Sequence, residues 1–325
     1  MNNEMILAAA LRIEGHALRT PLLNAPLLDA KFGRRIFVKA ECLQKTGSFK
    51  YRGARSAISA LDDGARAKGV IAFSSGNHAQ GIACVAAEMG APAVIVMPRD
   101  APALKLRNTK LYGAEVVTYD RQGNESREAV GAEIAEKRGL TLIRPYDEPQ
   151  VIAGQGTVGL ELAHQAAQMG VDNADVLVCC GGGGLTSGVA LALETRGPGL
   201  RARPVEPETS DGVARSLASG KIKRNEGPPR SICDAIVTPA PGDITFPIMQ
   251  ALCGPGYTVS DDEALRAMAF AWRYLKIVLE PGGAVSLAAA LFHTETDRDV
   301  IAVATGGNVD AEMFKRALDT IGPDD

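Results

Sequence analysis

Short runs rich in valine and isoleucine alternate with longer alanine-rich stretches along almost the whole chain, and this alternation constrains the fold most. Val70-Ile71-Ala72-Phe73, Ala93-Val94-Ile95-Val96-Met97, Glu115-Val116-Val117-Thr118-Tyr119, Asp175-Val176-Leu177-Val178-Cys179 and Asp299-Val300-Ile301-Ala302-Val303 read as buried parallel strands. Helical stretches lie between them, at 79–89, 103–111, 127–138, 157–169, 185–193, 262–275 and 284–291. Repeated strand–helix alternation predicts an α/β fold with two open, twisted, mostly parallel sheets flanked by helices. Two stretches break the rhythm. The proline-bounded crossing Arg144-Pro145-Tyr146-Asp147-Glu148-Pro149 predicts a domain boundary, and 225–247 is proline-rich with little periodicity. The expected division is a small domain at 50–147 and a large one formed by 1–49 plus 148–325, with the site in the cleft between them.

Composition narrows the function. The chain has 325 residues, 46% hydrophobic and 22% charged, with a formal net charge of -3. That suits a soluble globular protein. No block of five basic residues occurs, so nucleic-acid and membrane-surface binding have no electrostatic support. No apolar run approaches the roughly 18 residues of a membrane helix. Met1-Asn2-Asn3-Glu4 carries no basic n-region of a signal peptide. The six cysteines include no CxxC spacing and read as reduced thiols of a cytoplasmic protein. His16, His78, His164 and His293 lack the spacing of a zinc site.

Three strand-to-helix junctions carry the chemistry. The first is Val178-Cys179-Cys180-Gly181-Gly182-Gly183-Gly184-Leu185-Thr186. Glycines let a backbone approach an anion, and a helix start aims free N–H groups at it, so the natural ligand is a phosphate. The alternative is a tight turn with no ligand. The sixth-position glycine of a dinucleotide fingerprint is absent, because Thr186 stands there, and no Walker lysine follows. At the second junction, Ser74-Ser75-Gly76-Asn77-His78, the small polar residues either cap the next helix or meet a ligand. The third is Ala304-Thr305-Gly306-Gly307-Asn308, whose Thr305 closes a strand where α/β folds bind ligands.

Lys50 lies in Gly47-Ser48-Phe49-Lys50-Tyr51-Arg52-Gly53-Ala54, at a helix start, where the macrodipole disfavours a cation. Such a lysine is a solvated surface group, a tuned nucleophile, or the partner of an anion bound nearby.

Together these segments resemble the fold-type-II pyridoxal-phosphate enzymes, a tryptophan synthase β-like fold, and within them the serine/threonine dehydratase and serine racemase group. Val151-Ile152-Ala153-Gly154-Gln155-Gly156-Thr157 and Glu280-Pro281-Gly282-Gly283-Ala284 complete the pattern, and the likeness covers nearly the whole chain. The resemblance implies that Lys50 holds pyridoxal 5'-phosphate as a Schiff base and then acts as general base. It implies that Phe49 lies against the cofactor ring, that Asn77 donates to its phenolic oxygen, and that Thr305 faces its nitrogen. Gly181, Gly182, Gly183, Gly184 and Leu185 would bind the phosphate. Ser74, Ser75, Gly76, Asn77 and His78 would bind the substrate carboxylate, with Ser75 placed to reprotonate Cα in a racemase. A hydroxyl rather than a carboxylate at the ring nitrogen suits elimination over transamination.

The implied activity is an ammonia-lyase reaction: dehydration and deamination of a β-hydroxy-α-amino acid, such as L-threonine or L-serine, to a 2-oxo acid and ammonia. Alternatives are 3-hydroxyaspartate or 3-phenylserine as substrate, serine racemisation and, more remotely, cysteine-synthase-type β-replacement. Arg127 would meet a second carboxylate and Tyr146 would line the space of the β-substituent. A Mg²⁺ or Ca²⁺ ion would fall to Glu206 and Ser210, although Gly212 stands where the family carries an acid. The resemblance also implies a homodimer.

Overall fold

The computed structural model describes residues 1–101, 103–120, 126–227, 230–294 and 298–322, the side chains of 103–105 and 127–128 excepted. Among the described residues, ten strands form two sheets. They are β1 (Leu22–Asn24), β2 (Ile36–Ala40), β3 (Val70–Phe73), β4 (Ala93–Pro98), β5 (Glu115–Tyr119), β6 (Thr141–Leu142), β7 (Ala174–Cys179), β8 (Leu200–Pro207), β9 (Tyr257–Val259) and β10 (Asp299–Ala304). The larger sheet runs β1-β2-β10-β7-β8-β9 and the smaller β5-β4-β3-β6. All pairings within the two sheets are parallel except β1 on β2, an antiparallel edge.

The helices are α1 (Asn3–Ile13), α2 (Pro26–Phe32), α3 (Lys50–Ser59), α4 (Asp63–Lys68), α5 (Asn77–Glu88), α6 (Ala103–Leu111), α7 (Arg127–Arg138), α8 (Pro149–Gln168), α9 (Gly184–Arg196), α10 (Gly212–Ser219), α11 (Thr245–Leu252), α12 (Asp261–Phe270), α13 (Pro281–Phe292) and α14 (Ala311–Leu318). Residues Ala271–Leu275 continue α12 as a π-helical turn. Among the described residues, no helix is long and apolar enough to cross a membrane.

The central strands are buried on both faces, as continuous Val/Ile runs require. In β2, β4 and β10, Ile36, Val38, Ile95, Met97, Ile301 and Val303 have no exposed surface. One difference from the sequence reading concerns the crossing at 144–149. Its second proline is the first residue of α8, where a missing N–H costs nothing, and Glu148 caps the helix by accepting from the N–H groups of Gln150 and Val151. Helix α8 therefore starts eight residues before the stretch that alanine content suggested.

That long helix sets the spacing of the site. It lies between α3, which begins at Lys50, and α9, which follows the glycine loop. A Cβ at Gly154 would stand 2.5 Å from the Arg52 carbonyl oxygen, and one at Gly156 would stand 2.9 Å from that of Gly188. The Val-Ile-Ala-Gly-Gln-Gly-Thr segment thus presents one glycine to each neighbour, and both helices approach at backbone contact distance.

Candidate active site

Backbone pairing assembles the centre. Ser48 bridges Gly306 in antiparallel fashion, and the Phe49 N–H donates to the Thr305 carbonyl at 3.1 Å. Gly307 N–H donates to the Gly47 carbonyl at 2.9 Å. The segment before Lys50 is thereby laid along the C-terminal end of β10. Helix α5 closes on α3 at Gly81, where a Cβ would stand 3.1 Å from the Lys50 carbonyl oxygen.

Lys50 is half-buried, and its Nζ donates to the Pro145 carbonyl oxygen at 2.8 Å, 5.0 Å from the centroid of the Phe49 ring. Burial lowers its pKa from 10.5 to about 8. Beside it, His78 is buried and its pKa falls to about 3, first through burial and then through the Lys50 charge. His78 Nε2 lies 3.0 Å from the Ile143 carbonyl oxygen, which only accepts, so the neutral ring carries its proton on Nε2. Its Nδ1 is buried without a hydrogen-bond partner among the described residues.

Tyr146, next to Pro145, packs against the glycine loop. A Cβ at Gly182 would stand 2.2 Å from the Tyr146 ring, and one at Gly184 would stand 2.9 Å from Tyr146 Cα. The loop is held from behind by the proline-rich segment. Thr245 Oγ1 donates to the Gly182 carbonyl at 2.6 Å, and Gly242 N–H donates to the same oxygen. Gly181 rests on the Ile236 carbonyl, and Gly183 adopts the left-handed φ of 92°. The Gly182 carbonyl is thus tied back. Among the described residues, none of the N–H groups of Gly181, Gly182, Gly183, Gly184 and Leu185 has a hydrogen-bond acceptor. Unpaired N–H groups at the start of a thirteen-residue helix fit a phosphate.

The start of α5 is similar. Ser74 Oγ accepts from the Gly76 N–H at 3.2 Å, and no side chain caps the helix. The N–H groups of Asn77, His78 and Ala79 have no acceptor among the described residues. They fit a carboxylate better than the capping alternative does. Ser75 is half-buried between these groups. Thr305 is buried at the end of β10.

Two partners of this centre escaped the sequence reading. Glu280, buried at the N-cap of α13, accepts from Asn77 Nδ2. Asn308 Nδ2 donates to Asn77 Oδ1 at 2.8 Å. Both residues stand inside motifs the sequence singled out, but their contact with Asn77 spans more than 200 residues of chain and leaves no local pattern.

The two residues expected at a cation site both meet protein groups. The two carboxylate oxygens of Glu206 accept from the N–H groups of Val213 and Ala214 at 2.9 and 2.7 Å, capping α10. Ser210 Oγ accepts from Asn225 Nδ2 at 3.0 Å. Among the described residues, no group of three His, Cys, Asp or Glu side chains converges. Arg127 opens α7; its side chain and residues 121–125 lie outside the described residues.

Comparison with known proteins gives one picture. A family model described as pyridoxal-phosphate dependent enzyme matches residues 13–306. An L-threo-3-hydroxyaspartate ammonia-lyase from Pseudomonas sp is 44% identical over 96% of this chain and 97% of its own length. A serine racemase from Schizosaccharomyces pombe is 40% identical over 96% of each chain. The crystal structure of a threonine deaminase from T.th. superposes with a TM-score of 0.90 at 44% identity, covering 95% of this chain and 99% of that one.

Proposed function

This chain belongs to the pyridoxal-phosphate-dependent enzymes, as a fold-type-II member of the ammonia-lyase class, and we propose that it dehydrates and deaminates 3-hydroxyaspartate to a 2-oxo acid and ammonia. The observation that carries the choice of substrate is the 44% identity, across 96% of the chain, to an enzyme named for that amino acid. L-Threonine and L-serine are the second reading, supported by the likeness to threonine deaminase. The racemase relative supports a side reaction in which Ser75 returns the Cα proton.

The open N–H groups from Gly181 to Leu185 fit the cofactor's phosphate. When bound, pyridoxal phosphate supplies an aldehyde for an amine and a conjugated ring that delocalises the electrons left at Cα. Lys50 Nζ is the amine that holds it. The same nitrogen, when free, would take the Cα proton, and a pKa lowered by burial to about 8 favours the neutral amine that a base needs near neutral pH. Phe49 packs beside Lys50; Asn77 would donate to the ring's phenolic oxygen, and Thr305 would offer a hydroxyl to the ring nitrogen. The free N–H groups of Asn77, His78 and Ala79, with Ser74, Ser75 and Gly76, take the α-carboxylate. Tyr146 borders the β-substituent, and Arg127 is the group we assign to the second carboxylate. We read the two sheets as the cores of a small domain (50–147) and a large one (1–49 plus 148–325) that face each other across this cleft. We take the protein as a cytoplasmic homodimer.

The test is a 2-oxo acid assay across the stereoisomers of 3-hydroxyaspartate, threonine, serine and 3-phenylserine, with the wild type and Arg127→Ala. A loss confined to 3-hydroxyaspartate in the variant supports the assignment. Turnover of threonine above 3-hydroxyaspartate in the wild type would reverse the choice of substrate.

A further inference from the structure

The side-chain amide of Asn77 has two ends, and its neighbours decide which faces where. The Thr46 carbonyl oxygen only accepts. Asn308 Nδ2 donates to it at 2.8 Å and donates also to Asn77 Oδ1 at 2.8 Å. Asn77 Nδ2 in turn donates to a carboxylate oxygen of Glu280. Turning the Asn77 amide over would set oxygen against the carboxylate and nitrogen against nitrogen, so the acceptors at the two ends of the chain fix its polarity.

The backbone is shaped around this row. A Cβ at Gly306 would stand 2.1 Å from Glu280 Oε1 and 3.1 Å from Asn77 Nδ2. One at Gly47 would stand 2.5 Å from Asn308 Oδ1, and Gly47 also needs its left-handed φ of 72°. Thr46 itself holds a φ of 62°, a region β-branched residues rarely enter, and in that conformation its carbonyl meets Asn308. Asn77 and Glu280 are buried, at 9% and 4% exposure, so water does not compensate a wrong orientation.

We infer that Thr46, Asn308 and Glu280 form a polarity relay that holds Asn77 with its N–H donors available to the cofactor ring, which makes Asn308 and Glu280 positioning residues for the elimination. The inference rests on the reading of Asn77 as the donor to the phenolic oxygen. A donor there stabilises the oxygen's anion. Its loss raises the pH at which the visible absorbance band of the lysine-bound cofactor titrates, by about one unit.

The experiment follows that band across pH in the wild-type holoenzyme and in Asn77→Ala, Asn308→Asp, Asn308→Ala, Glu280→Gln and Glu280→Met. Asn308→Asp is nearly isosteric and places acceptors where Thr46 and Asn77 need a donor, so a carboxylate faces each end of the Asn77 amide and its polarity is no longer fixed. The midpoint should rise in Asn77→Ala and Asn308→Asp, and less in Asn308→Ala. The midpoint should also rise in Glu280→Met, and Glu280→Gln, whose amide oxygen still accepts, should show little of that shift. If Asn77→Ala leaves the midpoint unmoved, the reading of Asn77 fails and the relay with it. If Asn77→Ala moves it and both Asn308 variants do not, the relay alone is overturned. Thermal unfolding of the cofactor-free proteins separates folding from positioning, because a variant that loses stability but keeps the wild-type midpoint also counts against the relay. Should Asn308→Asp not fold, Asn308→Ala carries the test.

Discussion

Lys50 Nζ and the Pro145 carbonyl oxygen stand 2.8 Å apart, so the amine of one element is held by the chain that crosses between the two sheets. The contact parks the nitrogen beside the glycine loop, because Tyr146 follows directly and packs on Gly182. Only the neutral amine attacks an aldehyde. With a pKa of about 8, cofactor capture by the cofactor-free protein should accelerate about tenfold per pH unit below that value and level off above it. Stopped-flow absorbance measures this, and Lys50→Ala should show no capture. The linkage sign is also fixed. The folded state binds fewer protons than the unfolded one between about 8 and 10.5, so the cost of burying Lys50 is present at pH 7 and lifts as pH rises through that window. Lys50→Met should therefore stabilise the cofactor-free protein at pH 7 by on the order of 3 kcal/mol, an advantage that shrinks toward pH 10.

Gly182 leaves no room for a side chain, since its Cβ would stand 2.2 Å from the Tyr146 ring. In Gly182→Ala either the ring or the loop must move, and overpacking of this kind costs about 1–3 kcal/mol. Pyridoxal phosphate should bind the cofactor-free variant about 10–100-fold more weakly, read by absorbance titration. Adding Tyr146→Ala removes the clash and should return part of the affinity. A double variant no better than Gly182→Ala would mean that the loop, not the ring, carries the damage.

What was legible in the chain follows from how local each signal is. Strand β3 matches the predicted run residue for residue, and β4 differs only by Pro98, because a strand buried on both faces must be a continuous apolar run. The helix start at Lys50 and the strand-to-helix turn at Gly181–Gly184 were legible because a tight turn into a helix demands particular residues in sequence. The beginning of α8 was missed because Pro145 and Pro149 look alike in one dimension, while only Pro149 sits at a helix N1 position. The antiparallel edge strand β1, three residues long, is too short to carry a period. Glu280 as the partner of Asn77, and Thr245 as the brace of Gly182, arise from contacts distant in sequence that no spacing encodes. Glu206 kept its family position, but its oxygens meet the backbone of α10.

Arg52 is fully buried two residues beyond Lys50 and joins three elements. It donates to both oxygens of Glu41 at 2.8 Å and to both oxygens of Glu161 at 2.7 and 2.9 Å. Glu161 also pairs with the buried Lys39. Burial alone would raise the Glu41 carboxyl, yet the charge and hydrogen bonds of Arg52, with Lys39 and Thr20, pull it below its ordinary value. Arg52→Met should cost about 3–5 kcal/mol, because it strands the Glu41 charge in the interior. Its sign with pH is set by the lowered carboxyl: the stabilisation is present above 4.5 and is lost as pH falls through the folded-state value. Denaturant midpoints of wild type and variant should therefore converge in acid. A constant gap down to pH 3 would remove Glu41 from the explanation.

Gly154 tests whether α8 sets the distance between lysine and phosphate cradle. Its Cβ would stand 2.5 Å from the Arg52 carbonyl oxygen and 2.8 Å from Gly53 Cα, both backbone atoms that cannot rotate away. Gly154→Ala must push α3 outward, and Lys50 is the first residue of that helix. Alanine favours helix over glycine by up to about 1 kcal/mol, which offsets part of a strain of about 1–3 kcal/mol, so the net loss of stability should be small. The effect on turnover should be larger, because a displacement of about 1 Å at a reacting group costs about 100-fold. We expect kcat to fall by about that factor while the thermal midpoint drops by only a few degrees. The informative comparison is Gly159→Ala, on the same helix, where the Cβ would stand 2.8 Å from the Ala192 methyl and 3.0 Å from the backbone of Val189, against α9 rather than α3. If both variants lose stability but only Gly154→Ala loses kcat, the spacing of α3 is the quantity that matters. Equal losses of kcat would mean that the position of α9, which follows the glycine loop, matters as much as that of α3.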